Sequence, residues 1–126
     1  MKFMINESAE NYLETIYVLS KELPVVRSVD IANELGFKKS SVSVAMKNLR
    51  TQNYITVTNE GFIYLTEEGL KLAEMVYERH QALTSFLEII GVPPHTAEAD
   101  ACRIEHVISS DTFEAIQKLL KSGLLK

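Results

Sequence analysis

A single cysteine, Cys102, excludes an internal disulfide and removes any sign of an oxidising compartment. No apolar run approaches the roughly 18 residues that a membrane-spanning helix needs. The first residues, MKFMINESAE, turn acidic too early for a secretory signal peptide, so a cytoplasmic location is expected. Internal repeats and low-complexity segments are also lacking. What remains is a chain of 126 residues, 46% hydrophobic and 24% charged, with a net charge of −4. That composition excludes disorder. At this length about two-thirds of the unfolded surface can be buried, enough for one domain or two small subdomains.

One further absence is local. Residues 1–63 carry seven Lys/Arg and seven Asp/Glu, whereas residues 64–126 carry six and ten. Within Gly36–Gln52 there are four cations, Lys38, Lys39, Lys47 and Arg50, and no acid. A basic window on an acidic protein is the electrostatic footprint of a duplex-binding face; its plainer reading is a solvated helix surface.

Periodicity predicts a mainly α protein. Tyr12, Leu13, Ile16, Tyr17 and Leu19 form one apolar stripe over 8–22, and Leu23-Pro24 ends that helix. Ser28 is the expected cap of a short second helix through Leu35, with Asp30 in its first turn and Gly36 as the turn beyond. A third helix is expected over about 39–52, burying Val42, Ala45, Met46 and Leu49. The period then changes to two: Tyr54–Thr58 and Phe62–Leu65 read as strands of a hairpin around Asn59-Glu60-Gly61. Thr66 caps a long helix to about Ile90, stopped by Gly91 and Pro93-Pro94. A fifth helix is expected over about Thr96–Ser109 and a sixth from Asp111 and Glu114, in capping-box spacing, to about Leu120.

Two short helices joined by a glycine turn and followed by a hairpin make a winged helix-turn-helix. Its second helix enters the major groove with N-terminal residues at base edges. The DNA-binding candidates are therefore Lys38, Lys39, Ser40, Ser41, Ser43, Lys47 and Arg50, with Thr56, Thr58 and Asn59 reaching phosphate from the wing. Val42, Met46 and Leu49 are core. Winged helices also dock proteins, so the fold alone does not decide the partner.

A second cluster lies in Asp100-Ala-Cys-Arg-Ile-Glu-His106. On a continuous helix Cys102, Glu105 and His106 share one face at i, i+3 and i+4, with Glu98 one turn earlier. Thiolate, carboxylate and imidazole together suit first-row metals such as iron, cobalt, nickel or zinc. His80 falls in the apolar stripe of the long helix, where a histidine is ordinarily a hydrogen-bonded core residue. Asn11 and Glu14, at i and i+3 on the first helix, add two oxygen donors. Burial of so many polar groups without a shared partner would be costly.

Tyr12-Leu-Glu-Thr-Ile-Tyr17, the helix-turn-helix, Arg79-His80 and Cys102-Arg-Ile-Glu-His106 resemble the diphtheria toxin repressor family of iron- and manganese-dependent repressors. The resemblance covers nearly the whole chain. It implies a homodimer that binds palindromic operator DNA and represses uptake genes when Fe2+ or Mn2+ is plentiful, with Zn2+, Co2+ or Ni2+ able to substitute. Cys102, Glu105 and His106 match a primary-site motif of the family, and His80 and Glu14 match ligands of its manganese-type members. Asn11 stands where the family has methionine or aspartate, and Glu98 where iron-type members have histidine. Thr84 replaces the carboxylate of their ancillary site. The end at Lys126 leaves no room for an SH3-like third domain, so the short form is expected. The expected division is a winged-helix DNA-binding domain over 1–73 and a helical dimerisation and metal-binding domain over 74–126.

In the metal reading, ligands on the first helix and on the later helices together set the spacing of the two recognition helices. Surplus apolar residues of the second half, Leu83, Phe86, Leu87, Ile90, Phe113, Ile116 and Leu119, are the expected dimer surface. Two other readings compete. One is a redox repressor with Cys102 as its metal-free sensor. The other is an enzyme using Cys102 and His106 as nucleophile and base. The second lacks any oxyanion or glycine-rich motif, and no enzyme is expected.

Overall fold

The computed structural model describes residues 7–123 in six helices and one two-stranded sheet. The chain divides into two compact units, Met1–Glu74 and Met75–Lys126.

In the first unit the apolar stripe does form a helix, α1 (Glu7–Glu22), burying Tyr12, Leu13, Ile16 and Leu19. Helix α2 (Ser28–Leu35) begins one residue earlier in its capping than expected. Arg27, not Ser28, is the cap residue, and its N–H donates to Asp30 Oδ2 at 2.8 Å. Gly36 takes φ 70 and lets its N–H reach Ala32 O at 2.9 Å, a left-handed stop that a Cβ would strain. Helix α3 (Lys39–Thr51) buries Val42, Met46 and Leu49 against α2 and α1. It ends through Asn53, which takes the left-handed φ of 68 that asparagine tolerates, so that Tyr54 N reaches Leu49 O at 3.0 Å.

The hairpin is shorter than its apolar runs. Strands β1 (Ile55–Val57) and β2 (Ile63–Leu65) pair antiparallel with Thr56 opposite Tyr64. Ile55 and Ile63 face the core, where alternation places them, and Val26 adds a single bridge to Ile63. Helix α4 (Glu67–Ile89) starts as read, with Thr66 Oγ1 accepting from Gly69 N at 3.1 Å and donating to Asn53 O at 2.8 Å. Gly69 is fully enclosed: a Cβ there would overlap the carbonyl oxygen of Tyr54.

The second unit packs the C-terminal part of α4, α5 (Pro94–Ile104) and α6 (Ser110–Ser122) around Leu83, Ala101 and Phe113. Here the expected boundaries need correction. Helix α5 stops at Ile104 rather than Ser109, and α6 is capped by Ser109, whose Oγ accepts from Thr112 N at 3.2 Å, rather than by Asp111. The break has a physical partner: Arg79 Nη1 donates to the carbonyls of Glu105 and Ile108, each at 3.3 Å, taking up acceptors that the helix end leaves over. Of the expected surface, Leu83 and Phe113 are buried inside this unit and Ile90 is exposed; among the described residues, Met75, Ile89 and Val107 are the other exposed large apolar side chains of the unit.

Candidate metal centre and nucleic-acid interface

Helix α3 begins without a side-chain cap, at Lys38 with φ −69 and ψ 142, and has no acid in its first turn. Its leading N–H groups and the positive end of its dipole therefore favour an anion. Lys38, Lys39, Ser40, Ser41, Ser43, Lys47 and Arg50 are all exposed. At 100° per residue, Lys39, Ser40, Ser43, Lys47 and Arg50 lie along one flank of the outward surface and Ser41 on the other. At the hairpin, Thr56 and Asn59 are exposed, but Thr58 is engaged: its hydroxyl accepts from Phe62 N at 3.1 Å and closes the turn. Arg27, which periodicity does not single out, sets its guanidinium 4.9 Å from the Phe62 ring centre and adds a cation beside the hairpin. Behind α3, Tyr12 meets Phe37 edge to face at 6.0 Å, and burial pushes the Tyr12 phenol up from its ordinary pKa.

The second unit concentrates charge in its interior. Glu105 closes the end of α5 and is completely buried. Its Oε1 lies 2.7 Å from His80 Nδ1. His106 Nε2 stands 3.4 Å from Glu105 Oε2 but in no hydrogen-bonding geometry, so this buried oxygen receives no hydrogen bond. A carboxylate oxygen removed from water without a donor is expensive, which makes the pair of imidazoles around it informative. Two imidazoles and one carboxylate form a donor set that suits a divalent first-row metal, so the residues present fit such an ion.

Arg79, next to His80 in sequence, pins this turn. Besides its two carbonyl acceptors it donates to Ser110 Oγ at 3.4 Å, and its guanidinium lies 5.4 Å from the Phe113 ring centre. In sequence it is visible as the Arg79-His80 pair that carries part of the family resemblance, but no local pattern shows what its guanidinium holds.

The remaining candidates are placed differently. Cys102 is exposed, so the face it was expected to share with Glu105 and His106 is not a single buried face. Ala97, Ala101 and Glu105 make the buried ridge of α5, and Cys102 is one residue further round the helix. Glu98 is exposed as well. Asn11 and Glu14 are half-buried on α1 of the first unit. The Thr84 hydroxyl is buried without a hydrogen bond.

No helix among the described residues is long and apolar enough to cross a membrane. Compared with known proteins, residues 4–61 match the family described as "Iron dependent repressor, N-terminal DNA binding domain". Residues 66–122 match "Iron dependent repressor, metal binding and dimerisation domain". The chain is 37% identical over 111 residues to the transcriptional regulator MntR of Escherichia coli O6:H1, covering 88% of this chain and 72% of that protein. It is 35% identical over 118 residues to the HTH-type transcriptional regulator MntR of Shouchella clausii, covering 94% and 82%. Among solved structures, that of the manganese regulator SloR aligns with a TM-score of 0.80 at 25% identity, over 94% of this chain and 55% of that one. A manganese-dependent transcriptional repressor in complex with manganese gives 0.83 at 24% identity, over 90% and 52%, a likeness of fold. The chain thus spans about half the length of these two solved chains.

Proposed function

The chain belongs to the iron-dependent repressor family of metal-dependent transcriptional regulators, and on that premise we propose that it represses metal-homeostasis genes when manganese(II) or iron(II) is bound. One observation carries the reading: a wholly buried carboxylate, Glu105, set between His80 and His106 with one oxygen that no donor satisfies. The ligands proposed in the second unit are accordingly His80, Glu105 and His106. Glu14, and more weakly Asn11 with its neutral amide oxygen, are donors assigned from the sequence resemblance. Manganese(II) is the favoured ion, because these groups are oxygen and imidazole donors and the one thiol is exposed. A bound divalent cation would supply the positive charge that the buried carboxylate lacks.

The chain's own residues do the rest. Arg79 holds the Glu105 and Ile108 carbonyls and so fixes the turn from which Glu105 projects. His80 and His106 must present neutral nitrogens and Glu105 an ionised oxygen, so occupancy competes with protons. On α3, Lys39, Lys47 and Arg50 neutralise phosphate while the serines meet base edges or backbone. Coupling follows from linkage: an ion that binds better when the protein is on DNA raises operator affinity by the same factor. The dimer rests on the family's dimerisation domain over 66–122 and on the exposed Ile89, Ile90 and Val107. The matched family is one of metal-binding repressors, which gives a metal-free redox role for Cys102 no support.

Selection from random duplexes, run with manganese(II), with iron(II) under anaerobic conditions and with chelator, tests this reading. The expected result is a palindromic sequence enriched with metal only, most strongly with manganese(II). Equal enrichment under chelator would overturn it.

A further inference from the structure

On α3 the inward stripe is Val42, Met46 and Leu49, all at least 96% buried. At 100° per residue Val44 points almost directly away from them. It is 61% exposed, more than any other large apolar side chain among the described residues of the first unit. A β-branched residue on the solvent side of a helix has no helix-forming advantage over alanine, and Val44 stands open among the described residues of its unit. Its neighbours on that surface, Ser40, Lys47 and Asn48, are polar and exposed, and no acid occurs between Gly36 and Gln52.

That surrounding selects the occupant. A second copy of α3 would bring Lys39, Lys47 and Arg50 against their like, whereas a polyanion is attracted to them. Of the groups a DNA major groove presents to a helix, the apolar one is the C5 methyl of thymine. We propose that Val44 reads an A·T pair in each operator half-site by packing its isopropyl group on the thymine methyl. The proposal deepens the DNA-binding reading above and rests on it. It makes Val44, beside the polar residues of α3, a specificity-determining residue whose contribution depends on base identity and not on phosphate charge.

The test uses the full chain, manganese(II) and the duplex that the wild type selects. Each thymine of the half-site is replaced in turn by uracil, which removes only the methyl. One position is expected at which uracil weakens wild-type binding about fourfold per half-site, the scale of one buried methyl-sized group. Val44→Ala should weaken binding to the thymine duplex by a similar factor, lose all sensitivity to uracil at that position, and leave the salt dependence unchanged. Alanine is the better helix former at an exposed site, so its fold is retained; an unchanged thermal midpoint confirms it. Equal uracil sensitivity in wild type and Val44→Ala overturns the proposal, as does wild-type affinity in the variant. A loss of self-association in Val44→Ala, seen by sedimentation without DNA, overturns it in favour of a contact between copies. Failure of the wild type to select any sequence removes the operator reading itself, and this proposal with it.

Discussion

The two units treat charge in opposite ways. On α3 of the first unit every cation stands in solvent around an apolar inward stripe. In the second unit a glutamate is wholly buried, one oxygen against His80 and the other without a donor. Exposed charge costs the fold little and is felt by a partner at a distance; buried charge costs the fold a good deal and waits for a counter-ion. On the reading proposed above, the exposed cations of α3 need no partner to be stable, whereas burial of Glu105 carries a cost that an ion would relieve.

The largest effect should come from removing that cost chemically. Glu105→Gln is expected to weaken manganese(II) binding by about 100-fold or more in calorimetry, since a ligand and not merely its support is lost. In chelator the same variant should unfold at a temperature no lower than the wild type, because a neutral amide replaces an unsatisfied buried carboxylate. A clear fall in that metal-free midpoint would break the contrast between the units. Next in size is Arg79→Ala, which strips the guanidinium from the carbonyls of Glu105 and Ile108 and from Phe113. It should cost about 2 kcal/mol in denaturant unfolding and about tenfold in metal affinity, while Arg79→Lys, holding fewer acceptors, falls between.

Smaller changes sharpen the other side. Lys39→Ala and Lys47→Ala should each lower operator affinity severalfold and reduce the slope of log affinity against log salt by about one, with manganese(II) affinity unmoved. The smallest expected effect is at the exposed thiol. Cys102→Ser should change metal affinity by no more than about twofold, and a loss of tenfold would bring Cys102 into the ligand set.

These differences track what the linear chain makes visible. Tyr12, Leu13, Ile16 and Leu19 bury at the spacing that predicts α1, and Ile55 and Ile63 alternate inward as strands must. Gly36 marks its turn by being the residue that a φ of 70 most favours. Such features are local, and local periodicity encodes them. The end of α5 is not local. Nothing between 96 and 109 announces a stop, because the carbonyls freed there accept hydrogen bonds from a guanidinium that is 26 residues away in sequence from Glu105. For the same reason Cys102, Glu105 and His106 look equivalent at i, i+3 and i+4, yet burial divides them. Glu98 and Glu105 are both single carboxylates on one amphipathic pattern; packing around Ala97 and Ala101 encloses only the second. Arg79 is visible in sequence as part of the Arg79-His80 pair, and Val44 as an outward residue of α3, but the partners that give Arg79 its role lie on α6 and beyond the end of α5 and carry no local signal.

Gly69 carries a consequence for heredity. The first turn of α4 approaches the carbonyl of Tyr54 so closely that hydrogen is the only side chain with room. Every single-nucleotide missense change in a glycine codon introduces at least a Cβ, and at Gly69 even the smallest, alanine, meets backbone that no rotamer can move aside. Gly36 differs: it has open space around it and is restricted by its dihedral angle alone, which aspartate, one nucleotide from two of the glycine codons, can share. Under mutation and selection the codon for residue 36 has somewhere to go. The codon for residue 69 can change only silently.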